Sequence, residues 1–335
     1  MRSLLKLMAF FAAASMLAPL PVLRGQGFRR DTPWRAPTPP QEAREIAVTF
    51  DDLPRNGPDT GLANTQAMTE KLTSIIEKHH LPVVGLVNER QLYRPGELDA
   101  RVALLNTWLD RGAELGNHTF SHPSLTTTPL QDFEDDVVRG ENVTRMLLAQ
   151  RGMKLRYFRY PFLHTGPTLE IKQEFEAFLA SRHYTNAPVT LENSDWMFSA
   201  LYTKARLAGD QKMADRIAAA YLAYTEKQFD FLEKLSAEVL GYEPRQVLLL
   251  HANWLNADHL DGVLAVMEKR GYKFVTLDRA LEDKAYNLPD TYTGSNGPNW
   301  IERWAFSKGM AMRVKDEPDP PEFIMKMYKA ETQAQ

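Results

Sequence analysis

The stretch Ile46-Ala47-Val48-Thr49-Phe50-Asp51-Asp52 decides how the rest of the chain is read. An uncharged, largely β-branched and aromatic run ends abruptly in two adjacent carboxylates, as a buried strand does where it opens on a site. Runs of the same kind recur at 83–87, 114–116, 155–158, 184–189, 246–250 and 272–277. Amphipathic patterns occupy 65–78, 98–111, 130–150 and 168–182 between them. Strand and helix in alternation predict parallel strands joined by helical crossovers. About seven strands rather than eight predict an α/β fold built as a distorted (β/α) barrel.

One interval is too wide for a single βα unit. A helical insert, 197–243, is expected before the sixth strand. Within it Ile217, Tyr221, Tyr224, Gln228, Phe231 and Leu235 follow helical spacing and read as a stripe packed on a core. Gly209-Asp210 supplies a break and a cap. The catalytic domain is expected over 45–285, with a C-terminal extension at 286–335. There Trp300 and Trp304, at i,i+4, read as one face of a helix lying on the barrel.

Of the 335 residues, 44% are apolar and 25% are charged, and none is cysteine. A core of that size folds without disulfides. Lys and Arg number 40 against 43 Asp and Glu, and no long basic run appears, which argues against a nucleic-acid partner. Arg2 and Lys6 precede an uncharged stretch, 7–23, that is interrupted by Pro19 and Pro21. As a helix that stretch would reach only about 25 Å, short for a membrane span. Residues 1–25 therefore read as an export signal, cleaved or retained as an anchor, which implies a periplasmic, extracellular or cell-envelope location. The Pro- and Arg-rich 26–44 reads as a linker. No integral membrane domain is expected beyond the signal, and oligomeric state is left open.

Parallel βα architectures collect their chemistry at the carboxyl ends of strands. That filter returns Asp51-Asp52, Asn117-His118-Thr119-Phe120-Ser121-His122, Arg159-Tyr160-Pro161-Phe162, Asp195-Trp196 and Leu248-Leu249-Leu250-His251. A His-x-x-x-His pair in a helical turn would present both rings to one ion. One carboxylate and two imidazoles leave a coordination position open, which suits a catalytic rather than a structural metal. Zinc is the default for such donors, with cobalt, nickel, manganese and iron also compatible.

In this order the five motifs resemble those of the NodB-homology polysaccharide deacetylases, carbohydrate esterase family 4, over about residues 45–280. The resemblance implies removal of acetyl groups from N- or O-acetylated glycans such as peptidoglycan, chitin-like or xylan-like polymers, with one divalent metal. By the same resemblance Asp52, His118 and His122 are the ligands, and Asp51 is the base that takes the proton from the attacking water. Arg159 braces the base, the Tyr160 N–H supports the developing oxyanion, and His251 with Asp195 forms the general acid. Trp196, Leu249 and Phe162 would line the substrate side. Phe162 stands where the family usually has Tyr or Trp, and Ala252-Asn253 follows His251 where an acidic residue is usual. Two other readings stand beside it: an amidohydrolase for small linear or cyclic amides, which keeps the same site, and a silent carbohydrate-binding protein, which predicts the loss of a ligand, base or acid, none of which is missing here.

Overall fold

The computed structural model describes residues 44–58 and 60–333. The export signal, and all of the 26–44 linker but its last residue, lie outside the described residues. The strands are β1 (Glu45–Leu53), β2 (Val83–Val87), β3 (Glu114–Asn117), β4 (Tyr157–Phe158), β5 (Thr185–Asn186), β6 (Gln246–His251) and β7 (Lys273–Phe274). They form one seven-stranded sheet in the order β5-β4-β3-β2-β1-β6, with β7 paired to the start of β1, and every pairing is parallel. The expected fold class and the placement of each strand hold.

Three strands are shorter than their apolar runs, because the sheet curls. The chain leaves β4 after the Ala187 N–H bonds the Phe158 carbonyl, then crosses to β6, where Leu191 bridges Leu248. The ring of strands closes there through a single bridge. Regular pairing cannot continue along a chain that changes partners within a few residues.

Alternation along β1 divides the core into two layers. Val48 and Phe50 face the outer helices, with the Phe50 and Trp108 rings 5.4 Å apart. Ala47 points inward among Val84, Leu86, Tyr157, Ala187 and Val247, with Leu277 and Ala280 closing that end. The barrel interior is therefore apolar at its floor, and Thr49 and Asp51 follow Ala47 upward on the same face.

The expected helix at 130–150 is two helices, Leu130–Arg139 and Asn142–Ala149. Gly140 separates them: a Cβ there would lie 2.6 Å from the Thr119 carbonyl carbon, so only glycine permits this approach. The insert forms the helices Asp195–Leu207 and Gln211–Leu240. Asp210 caps the second by accepting the Met213 N–H at 3.0 Å. Ile217, Tyr221, Tyr224, Gln228 and Leu235 are buried as the spacing predicts. Phe231 is only partly buried, and Phe229 and Leu232 take the inner positions beside it. Trp300 and Trp304 are buried on the helix Trp300–Ser307, which begins with a capping box from Asn299 and Glu302.

Leu232 is fully buried and Lys227 on the same helix is exposed. Leu232→Ala is expected to lower unfolding free energy by about 2–5 kcal/mol in urea titration. Lys227→Ala should change it by less than about 0.5 kcal/mol. Equal, small effects would mean that the insert does not share the core.

Candidate active site

The site begins with an irregularity in β1. Phe50 pairs with Gly85 and Leu53 with Val87, so β1 holds one residue more than β2 over that interval. Asp52 absorbs the bulge at φ 63°, in the left-handed region. A regular strand would send successive side chains to opposite faces. The bulge instead turns both carboxylates toward His118, whose Nε2 lies 3.6 Å from Asp51 Oδ2 and 3.7 Å from Asp52 Oδ1.

His118 and His122 are brought together by a loop, not by the expected helical turn. Thr119 and His122 both have positive φ, and side chains consume the backbone donors that a helix would use. Asn117 Oδ1 accepts the Thr119 N–H at 2.6 Å, and Thr119 Oγ1 accepts the His122 N–H at 3.0 Å. Asp136 Oδ1 accepts the N–H groups of Phe120 and Ser121. Those local bonds outcompete a helix. The result places His122 Nε2 at 3.4 Å from Asp52 Oδ1.

The ligand atoms of Asp52, His118 and His122 all lie within 4.8 Å of one another. Asp52 Oδ1 is buried without a hydrogen bond, although it faces both imidazoles. An orphaned buried carboxylate oxygen between two ring nitrogens fits a cation. His118 Nδ1 lies 2.9 Å from the Arg159 carbonyl, an acceptor that fixes the ring with Nε2 as its free donor atom. Burial, and then His122, push His118 down to about 3, so its imidazole is neutral as a ligand must be. Burial opposes ionisation of Asp52, but His122, His251, His118 and the Asn56 amide together hold its carboxyl below the usual carboxylate range.

Arg159 spans the barrel. Its Nη1 donates to Asp51 Oδ1 and to Thr49 Oγ1, both at 2.7 Å, and its Nε donates to the Ala187 carbonyl at 2.9 Å. The next residue, Tyr160, has a backbone N–H without an acceptor among the described residues, while its ring is buried against Phe158 and Phe175. Phe162 follows at φ 58°, 54% exposed, with its ring 4.4 Å from that of His122.

Opposite stands His251, paired in register with Asp51. Its Nδ1 lies 2.7 Å from Asp195 Oδ1. Asp195 Oδ2 accepts the His251 N–H at 2.8 Å, Asn253 Nδ2 at 3.0 Å and Asn256 Nδ2 at 2.6 Å. Burial works against charge on His251, yet Asp195, with Asp52 and Asp51 beyond, outweighs it and pushes His251 up to about 9. Asp195 opens a helix rather than closing a strand. Leu249 is buried in register with Thr49, below His251, and Trp196 is partly exposed against the Tyr328 ring at 5.4 Å.

A sequence model of the polysaccharide deacetylase family matches residues 38–175. Over those residues the chain resembles the polysaccharide deacetylases. It is 24% identical over 251 residues to an uncharacterized 30.6 kDa protein of Geobacillus stearothermophilus, covering 74% of this chain and 75% of that one. It is also 24% identical over 123 residues to a peptidoglycan-N-acetylglucosamine deacetylase of Bacillus cereus, 37% of this chain and 38% of that protein. Among solved structures, a family 4 pseudoenzyme from Bacillus anthracis superimposes with a TM-score of 0.48 at 15% identity, over 72% of this chain and 66% of that one.

The deacetylase match holds Asp51, Asp52, both histidines and Arg159, and ends before Asp195 and His251. Several residues that build the site escaped the sequence reading. Asp136 and Gly140 lie inside an amphipathic pattern that looks like any surface helix. Asn253 was visible after His251, but only the fold turns it and Asn256 onto Asp195.

Alanine at Asp52, His118 or His122 is expected to reduce zinc bound per chain, measured by metal analysis on folded protein. Full occupancy in all three variants would remove the ligand assignment.

Proposed function

We propose that the protein is an exported, metal-dependent deacetylase of N- or O-acetylated glycans. The observation that carries this reading is the buried, unpartnered Asp52 Oδ1 between His118 and His122, flanked by Asp51 on Arg159 and by His251 on Asp195. A divalent cation held by Asp52, His118 and His122, zinc by its donor set, would polarise the acetyl carbonyl and make water nucleophilic at neutral pH.

The chain's own residues manage protons and charge. Asp51, oriented by Arg159 Nη1, takes a proton from water as the water oxygen bonds the carbonyl carbon. The Tyr160 N–H donates to the carbonyl oxygen as negative charge gathers there. His251, protonated at neutral pH, gives its proton to the departing nitrogen or oxygen as the bond to the acetyl carbon breaks. Acetate and a free amine or alcohol result. Phe162 at the mouth, with Trp196 and Leu249, would contact the acetylated sugar.

A glycan rather than a small amide is supported by the export signal read at 1–25 and by the likeness to a peptidoglycan-N-acetylglucosamine deacetylase. Acetate release from chitin oligomers, peptidoglycan and acetylated xylan by zinc-loaded protein is the direct test. Turnover of small amides alone would favour an amidohydrolase, and no turnover at all a silent binding protein.

Asp51→Asn should keep bound metal and lose activity by about 10²–10⁴-fold, the usual contribution of a general base. Near-normal turnover, or loss of the metal, would refute the division of labour between the two carboxylates.

The acid has its own signature. His251 loses its proton as pH rises through about 9, so activity should decline on that alkaline limb. Asp195→Asn removes the leading cause that raises His251, which then moves toward its ordinary value of 6.5. The alkaline limb of kcat against pH should therefore move to lower pH in that variant. An unmoved limb would take the proton donor elsewhere.

A further inference from the structure

The segment from Tyr160 to Thr165 carries the oxyanion N–H at one end and sets Phe162 against His122 in the middle. Phe162 and Leu163 are successive non-glycine residues at positive φ, 58° and 54°. Such a conformation persists only where surrounding contacts impose it. Behind the segment lies a cavity of about 480 Å³, lined by Tyr160, Thr165, Lys172, Asp290 and Trp300 among others. Tyr160 and Leu163 anchor the stretch in the core at two points, and beside the cavity polar ties hold the backbone between and beyond them.

Those ties come from the C-terminal extension. Arg303 is fully buried and divides its donors along the segment: Nη2 to the Leu163 carbonyl and Nη1 to Thr165 Oγ1 at 2.8 Å. Its remaining bonds fix it in place, Nε to the Pro298 carbonyl at 2.8 Å and Nη1 to Asp290 Oδ2 at 3.1 Å. The Trp300 ring covers the guanidinium at 4.4 Å. From the mouth side, Gly297 sits so close that a Cβ would fall 1.8 Å from the Phe162 carbonyl oxygen. Thr126, in the loop that follows His122, donates to the Gly294 carbonyl at 3.2 Å and joins the same strap to the metal-ligand side.

We propose that Gly297 and Arg303 are positioning residues for deacetylation, holding the 160–165 segment so that the Tyr160 N–H and Phe162 meet the acetyl group. This role rests on the deacetylase reading above. Neither residue touches the reacting atoms. Both lie far outside the 38–175 family match, so the extension completes the site rather than decorating it.

The test uses full-length, zinc-loaded protein carrying Gly297→Ala or Arg303→Lys. Arg303→Lys keeps a cation for Asp290 but loses the planar fork shared by Leu163, Thr165 and Pro298. Gly297→Ala forces the half-buried strap and the Phe162 carbonyl apart while leaving the buried arginine in place, and so guards against a folding defect from the Arg303 change. Hydrogen exchange, read by mass spectrometry, should accelerate in peptides covering 160–165 and remain unchanged over β1 and β6. kcat should fall on the order of 10–100-fold with KM altered less than about threefold, at unchanged bound zinc. Unaltered exchange in both variants, or faster exchange with wild-type kcat, would overturn the positioning role. If the wild-type protein releases no acetate, the functional reading falls, while the exchange data still judge whether the strap holds the loop.

Discussion

A carboxylate held at the inner end of a barrel strand needs a counter-charge, and Arg159 provides it. Breaking a buried ion pair by removing one partner typically costs about 3–5 kcal/mol. Arg159 serves more than Asp51, because its Nε, its Nη1 and its carbonyl are all engaged. Its guanidinium ties β1 to the chain after β5 through Asp51, Thr49 and Ala187, and its carbonyl orients His118. The peptide that follows offers the Tyr160 N–H. Asp51, His118 and the Tyr160 N–H, the proposed base, metal ligand and oxyanion donor, are thus set by one residue, and moving β4 against β1 would disturb all three together.

The opposite wall is organised independently. Asp195 is held by hydrogen bonds from His251, Asn253 and Asn256, and Asn256 is held in turn by Tyr221 of the long insert helix at 2.8 Å. The stripe of buried aromatics that seats this helix on the barrel therefore also ends in a polar contact one step from Asp195. In a low-dielectric setting such a chain of hydrogen bonds is stiff only when each member is satisfied. The insert is part of the support of the Asp195–His251 pair as well as a cover for the barrel.

Much of this was legible in the chain itself. Strand positions followed from short apolar runs, the insert from helical spacing, and the candidate site from which polar residues ended the runs. What escaped was local geometry that no periodicity encodes. Asp52, Thr119 and His122 adopt left-handed conformations that residue type does not announce, and the helical turn expected for the two histidines is a side-chain-stapled loop. Asp136 looked like a solvated helix residue until the fold placed it under that loop. Arg303 and Gly297 act on a segment more than a hundred residues away in sequence, where only tertiary structure reveals the connection.

The central position of β1 has a consequence for how the chain can be divided. Its 46–51 edge is covered by β6, which arrives from residues 246–251. A fragment ending at residue 175 would hold Asp51, Asp52, His118, His122 and Arg159, yet it would present that edge bare, with its backbone N–H and C=O groups open to another chain. Exposed, uncharged strand edges of this kind template intermolecular pairing. A nascent chain passes through the same state until its last third is made, so the stretch that carries the chemistry is also the one most in need of protection during synthesis.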